Sequence, residues 1–230
     1  MYDIYNQLTM NIKKRQTGAP KFNYQELLHP ELYGSLPSAS RSSLPVLKPT
    51  PDIFPIRLLP FHEAYAHKTY SCTVHFFIND NLFLRVLRDP EKYLDFFKKC
   101  HSVIGPDLSQ YSDMSEEDRY FSAYVNRAFS LYLQNNGVRV IPNCTWSLPD
   151  SYEYSFSGIP QNTTIAVNSN GVLKHNVSKY LWLRGYNTAC NALKPSTIIR
   201  YGSYVPSENT SISIYFDNER IKNLHDWSKR

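Results

Sequence analysis

An α/β protein made of parallel βα repeats is the fold class this sequence predicts, on three observations. Apolar runs of strand length recur between residues 56 and 202, several rich in β-branched residues and ending in polar or turn residues, as buried parallel strands do. Segments of helical length with recognisable starts and stops lie between them. The strand–helix alternation is that of βα units. Right-handed crossovers then bring every strand C-terminus to one edge of the sheet. Six or seven strands suit a small or partial (β/α) barrel better than a doubly wound open sheet, and in both the ligand site lies at that edge.

Residues 1–43 read as an arm or linker. Eight of the 15 prolines fall in the first 60 residues, SLPSASRSSLP fills 35–45, and the arm holds one short helical candidate, NYQELL, and a basic cluster, IKKRQ, a composition that favours a connecting segment. The packed domain is expected over 44–204, with a C-terminal strand and tail over 205–230. Its strands are IRLLPF (56–61), TVHFFI (73–78), SVIGP (102–106), VRVIPN (138–143), TIAVN (164–168) and TIIRYG (197–202). Asp89-Pro90 supplies an N-cap and a proline at the first helical position for PEKYLDFFKKC, whose last turn carries Lys98 and Lys99, favourable against the helix dipole. Residues 82–88 form a separate turn of helix before it. Ser115-Glu116-Glu117-Asp118 resembles a capping box, and the helix it opens runs through Phe121, Tyr124, Ala128 and Leu131 towards Gly137, the natural C-terminal stop. A third helix spans Val177 to Leu193 and ends at Lys194-Pro195.

Composition narrows the class without naming a reaction. With 230 residues, 42% hydrophobic, the chain can bury one large core. Its basic excess, 25 Lys and Arg against 20 Asp and Glu, is spread along the chain and permits a nucleic acid partner. Cys72, Cys100, Cys144 and Cys190 show no paired spacing, so neither a zinc knuckle nor a short disulfide framework is indicated. The N-terminus lacks a continuous apolar stretch and no run approaches the roughly 18 apolar residues of a membrane span. These features predict a soluble, reduced, intracellular protein without membrane contact. The sequons at Asn143, Asn162, Asn176 and Asn209 are by-products of an Asn- and Ser-rich composition in such a compartment. No Walker loop, G-x-G-x-x-G, G-x-S-x-G, H-E-x-x-H or zinc-deaminase signature occurs, which speaks against P-loop hydrolases, Rossmann oxidoreductases and serine hydrolases.

The strand exits supply the candidate residues. Asn79 and Asp80 follow TVHFFI, Asp107 follows SVIGP, Asn143, Thr145 and Trp146 follow VRVIP, Asn168 and Ser169 follow TIAV, and Tyr201 follows TIIR. Asp107 and Asp80 converge, on this reading, as a catalytic carboxylate pair that divides acid and base duties or holds a divalent cation. Turn formation by Asp80 and capping by Asp107 are the structural alternatives. Arg127 lies among apolar helical neighbours and needs a partner, either Asp107 in an ion pair or an anionic ligand. Trp146 and Tyr201 are candidates to stack a planar base, with core packing the alternative for Trp146. Tyr111 and Asn143 complete the ligand-binding set. His75, bracketed by Val74 and Phe76, reads as a buried histidine more readily than as a base.

The segments LPVLKPT, LLPFHEA, VHFFINDNLF, DPEKYLDFFKK, VIGPDLSQYSDM, NRAFSLYLQNNGVRVIPNCTW, YSFSGIPQNTTIAV and LKPSTIIRYG, in that order over 44–204, resemble a family of phage, prophage and plasmid proteins, the domain of unknown function 4417. The family pattern has Asp-Phe-Ser where this chain has Asp107-Leu108-Ser109, and Ser-Thr-x-Gly where it has Asn168-Ser169-Asn170-Gly171. Asp107, Tyr111, Asp113, Arg127 and Trp146 stand within the matching strings. The resemblance implies an accessory protein of a mobile element acting in a bacterial cytoplasm, and it brings no established catalytic residues.

Three functions follow as expectations. The first is an enzyme handling nucleic acid or a nucleotide through the strand-end carboxylates. The second is a binding protein that captures a host protein or a signalling nucleotide. The third is a minor virion-associated protein.

Overall fold

Among the described residues, seven strands, each parallel to the one before it in the chain, frame the protein. The computed structural model describes residues 24–34, 44–49 and 53–217; the basic cluster IKKRQ and the tail from residue 218 onward lie outside the described residues. In chain order the elements are α1 (Pro30–Tyr33), β1 (Leu58–Pro60), α2 (Phe61–Ala66), β2 (Thr73–His75), α3 (Leu84–Arg88), α4 (Pro90–Lys99), β3 (Ser102–Ile104), α5 (Glu116–Asn135), β4 (Val140–Ile141), α6 (Tyr152–Phe156), β5 (Thr164–Asn168), α7 (Asn176–Leu193), β6 (Thr197–Tyr201) and β7 (Ser213–Phe216).

The strands form two parallel sheets, β1-β2-β3-β4 and β5-β6-β7. A single parallel bridge between Asn143 and Ala166 joins them, with Cys144 N–H donating to Ala166 O and Ala166 N–H to Pro142 O. The expected α/β class with parallel strands is therefore present. Among the described residues the strand pairings do not include one between β7 and β1. The inner side chains of both sheets nonetheless share one apolar cluster, in which Leu58, Phe77, Ile104, Ile141, Ile199 and Tyr201 meet.

Helices cover the outer faces. Phe61, Val74, Phe76, Phe97, Val103 and Phe129 belong to the core between the first sheet and α2–α5. Ile165, Ile198, Trp182, Tyr186 and Phe156 belong to the core between the second sheet, α6 and α7. Strands β1–β6 thus bury residues on both faces, which is why they read as continuous apolar runs rather than alternating ones, whereas β7 is only partly covered.

Local signals placed the helix ends where the structure has them. Ser115 Oγ accepts from Asp118 N–H at 3.1 Å to start α5, Asp89 caps α4 by accepting from Lys92 N–H, and Gly137 follows α5 at φ +82°, a left-handed conformation that suits glycine. α7 stops at Lys194, which has φ +47° before Pro195. Two expectations shift. The first strand ends at Pro60 and hands Phe61 to a short helix, and the second ends at His75, leaving Phe76–Ile78 irregular, because Phe77 N–H donates to His75 Nδ1 and Ile78 N–H to Phe76 O instead of to a neighbouring strand.

Candidate functional site

Four consecutive strands deliver polar side chains to one edge. The loop after β3 turns at Gly105, where a Cβ would collide with Ser130 Oγ of α5, so glycine lets the chain pass close to the helix. Asn126 of α5 then clamps the loop in both directions, accepting from Leu108 N–H at 2.9 Å and donating to Leu108 O at 3.2 Å. Asp107 is fixed between these anchors and is half-buried. Its Oδ1 accepts from Asn143 Nδ2 at 2.8 Å, and its Oδ2 from Asn168 Nδ2 at 3.2 Å. Thr145 hydrogen-bonds it as well. The same Asn143 amide donates to Pro106 O at 2.9 Å.

Asp80 lies behind Asp107, only 4% exposed. Ser109 donates to it twice, from N–H to Oδ2 at 3.3 Å and from Oγ to Oδ1 at 3.1 Å. Burial pushes the Asp80 carboxyl up to about 6; the Ser109 hydroxyl and amide oppose that rise, and the charge of Asp107 adds to it. Burial also raises Asp107, against the pull of its bonds from Asn143, Asn168 and Thr145. Two carboxyls in mutual electrostatic reach, both short of water, hold a proton between them more readily than either alone.

All four carboxylate oxygens accept from protein donors, so an ion would have to displace or share those bonds. Among the described residues there is no group of three or more His, Cys, Asp or Glu that could hold a metal ion. The donor set fits proton chemistry better than a divalent cation. The buried Oδ1 of Asn143 has no hydrogen-bond partner among the described residues, which leaves an acceptor beside Asp107 for a donor from elsewhere.

The remaining candidates engage other partners. Arg127 is buried in α5 and donates from Nη2 to Ser155 O at 3.0 Å; its partner is a backbone carbonyl of α6, not Asp107 and not an anionic ligand, and burial lowers it to about 10. Trp146 packs against Phe156 and Trp182, with ring centroids 6.1 and 5.9 Å away. Its indole presses on α7 at Gly185, where a Cβ would overlap the ring. Tyr201 is buried in the inner cluster, stacked on Phe77 at 5.2 Å and 4.5 Å from His75. Tyr111 is 42% exposed on the loop leading to α5.

Next to the carboxylate pair, the C-terminal ends of β1, β2, β6 and β7 enclose a cleft of about 470 Å³ that includes His62, Glu63, His75, Asn79, Tyr201 and Asp217. His62 and Glu63 directly follow the first apolar run, so their exit position was readable in LLPFHE; Asp217 follows β7 in the same way. Sequence reasoning also missed Arg200. Its guanidinium is buried and pairs with Glu208, Nε to Oε2 at 2.7 Å, while Nη1 donates to Val167 O at 3.0 Å and the Trp182 ring lies 4.6 Å away. An arginine in the run TIIRY had no readable partner, because Glu208 arrives from the loop before β7.

The family model of a domain of unknown function (DUF4417) matches residues 36–218. The chain belongs to this family. Among curated proteins, this DUF4417 chain is 31% identical over 169 residues to the Gene 1 protein of Mycobacterium phage L5, covering 72% of this chain and 73% of that protein. It is 30% identical over 172 residues to the Gene 1 protein of Mycobacterium phage D29, covering 73% of this chain and 63% of that relative, less than two thirds of the D29 protein's length. No solved structure matches it. The DUF4417 chain is thus phage-associated by its relatives, and among the described residues no helix is long and apolar enough to cross a membrane.

Proposed function

We propose that the protein is a phage-encoded enzyme that acts on a nucleotide or nucleic acid in the cytoplasm of the bacterial host, with Asp107 as the carboxyl that meets the substrate. The observation that carries this reading is the meeting of Asp107 and Asp80 at the ends of adjacent parallel strands, each pushed towards protonation. Asp107 is half-buried and Asp80 lies behind it, so Asp107 is the group that exchanges a proton with a bound molecule and Asp80 tunes it. A carboxyl whose proton affinity is raised towards the working pH is what general acid–base catalysis needs. Asn143 and Asn168 hold Asp107 in one orientation. The sequence pI of about 8.9 suits a polyanionic substrate. The strand order, the bridge between the sheets and the shared inner cluster support reading the two sheets as an open (β/α) barrel, whose active edge is the one that carries both aspartates.

The test is turnover of nucleosides, nucleotides and single- and double-stranded nucleic acids, followed by chromatography and mass spectrometry. Asp107→Asn should lower turnover at least about 100-fold, the usual scale for a lost general acid or base. Equal turnover by wild type and Asp107→Asn would sink the reading.

Exposed tyrosines favour a second reading, a protein that captures a host protein or a signalling nucleotide without turnover. Tyr111, Tyr180 and Tyr204 are 42%, 51% and 51% exposed, and tyrosine is enriched at binding surfaces. Tight binding in calorimetry with no product formed would move the conclusion to this alternative.

A further inference from the structure

We propose that the cleft between the C-terminal ends of β1 and β7 is a nucleobase-binding pocket, one that accepts a base or nucleoside and disfavours a free triphosphate. The proposal names a ligand class and a subsite for the function just stated, and in that respect rests on it.

The polar lining has a defined hydrogen-bonding character. His75 Nδ1 accepts from Phe77 N–H at 3.1 Å, so the neutral ring carries its proton on Nε2. Burial, with His62 adding to the effect, lowers the His75 ring to about 3, and it therefore acts as a neutral donor throughout the physiological range. Glu63 and Asp217 bring carboxylates to the same cleft. A carbonyl or ring nitrogen can receive the imidazole proton while an exocyclic amino or imino group donates to a carboxylate. Nucleobases carry both kinds of group on one flat edge.

The walls suit a flat ring. Phe77, Tyr201 and His75 form a continuous aromatic surface, and Leu58, Ile78 and Phe216 add aliphatic and aromatic area. The volume of about 470 Å³ falls in the usual range for small-molecule sites, on the order of 300–1,000 Å³. Charge bears on the choice between a base and a triphosphate: the lining carries the carboxylates Glu63 and Asp217 beside the basic groups Arg57 and His62, and His62 lies 3.6 Å from Glu63, so a phosphate chain meets no surplus of positive charge to offset its loss of water. A base presented by a polymer, or unstacked from it, enters such a pocket with its phosphates left outside.

The location ties the cleft to the carboxylate pair. Asn79 lines the cleft, and the next residue is Asp80, so the β2 exit serves both.

The test is titration calorimetry and saturation-transfer NMR on the full chain with adenosine, guanosine, cytidine, thymidine and the corresponding 5′-triphosphates. At least one nucleoside should bind, and its triphosphate should bind at least about tenfold more weakly, equivalent to about 1.4 kcal/mol. His75→Phe should weaken the nucleoside by about tenfold or more, and Leu82→Trp, at the exposed rim of the cleft, should block it without altering the core. The second variant carries the test if the first fails to fold. No nucleoside bound by wild type, a triphosphate bound as tightly as the nucleoside, or binding untouched by Leu82→Trp would overturn the pocket. Asp107→Asn separates the two proposals: it should keep nucleoside binding while losing turnover. Turnover retained in that variant would remove the catalytic reading and leave the pocket standing.

Discussion

Two charge clusters among the described residues, one fully buried and one half-open at Asp107, are built on opposite logic. In the second sheet, Arg200 and Glu208 are oppositely charged, fully buried and saturated: Glu208 accepts from Arg200 Nε at 2.7 Å, Arg200 Nη2 at 3.3 Å, Val205 N–H at 2.9 Å and Tyr215 OH at 3.1 Å. In the first sheet, Asp80 and Asp107 are like-charged and held by neutral donors only. The first cluster ties β6 to the loop before β7. The second gains no comparable stability from its charges, since both carboxyls are pushed towards protonation. Charge that works against the fold is the kind that ligand sites retain.

The largest expected effect breaks the saturated pair. Glu208→Ala leaves the Arg200 guanidinium buried without its counter-charge and should cost about 3–5 kcal/mol in urea unfolding, whereas the double change Arg200→Met with Glu208→Leu should recover most of that loss. A loss below about 1 kcal/mol for the single variant would show that water or another acceptor replaces Glu208. Next in size is Gly185→Ala, in the same half of the molecule. The added Cβ meets the Trp146 indole, and overpacking of this kind costs about 1–3 kcal/mol. Its urea midpoint should fall with the slope unchanged.

The carboxylate pair should respond with the opposite sign. The Asp80 carboxyl sits at about 6 in the fold against an ordinary 3.8, so the folded state takes up a proton between about pH 6 and 4 that the unfolded chain does not. Wild type is therefore stabilised on acidification through that window, and the contribution is lost as pH rises through 6. Asp80→Asn removes the cost at pH 8 and should raise stability there by about 1 kcal/mol, after loss of the best Ser109 geometry is counted, with the advantage gone below about pH 4. Unfolding curves at pH 8, 6 and 4 check it, and a variant less stable than wild type at pH 8 would mean the Ser109 bonds outweigh the desolvation. The smallest effect belongs to Tyr111→Ala. Its ring is 42% exposed, and stability should change by less than about 0.5 kcal/mol, while any ligand contact it makes would appear in binding alone.

How far the site was legible differs residue by residue. Asp107 could be found because Gly-Pro after an apolar run marks a strand exit, and parallel βα units send every exit to one edge. Asn143 and Asn168 were readable for the same reason. Ser109, which supplies both donors to Asp80, was not singled out, because a serine two residues past an aspartate carries no signal of its own. Arg127 and Trp146 were candidates on residue type, with an ion pair and core packing as their structural alternatives, and the fold turns one to a carbonyl of α6 and the other onto the bare face of α7. Residue type says what a side chain can do; only the neighbour says whether it is already engaged.

By itself the sequence determined the order of the first six strands and of the helices α3, α4, α5 and α7, though not of α2 and α6, together with the helix caps at Asp89 and Ser115, the stops at Gly137 and Lys194-Pro195, and the edge to which the polar exits lead. These depend on periodicity and on hydrogen bonds between residues three or four apart, which a linear chain already contains. The tertiary structure alone decided that Asp80 lies behind Asp107, that Arg200 meets Glu208, that Arg127 meets a carbonyl, and that a cleft opens beside His75 between the first and last strands. Those outcomes join segments distant in the chain through packing direction and burial, and only the assembled core sets which side chains lose water together.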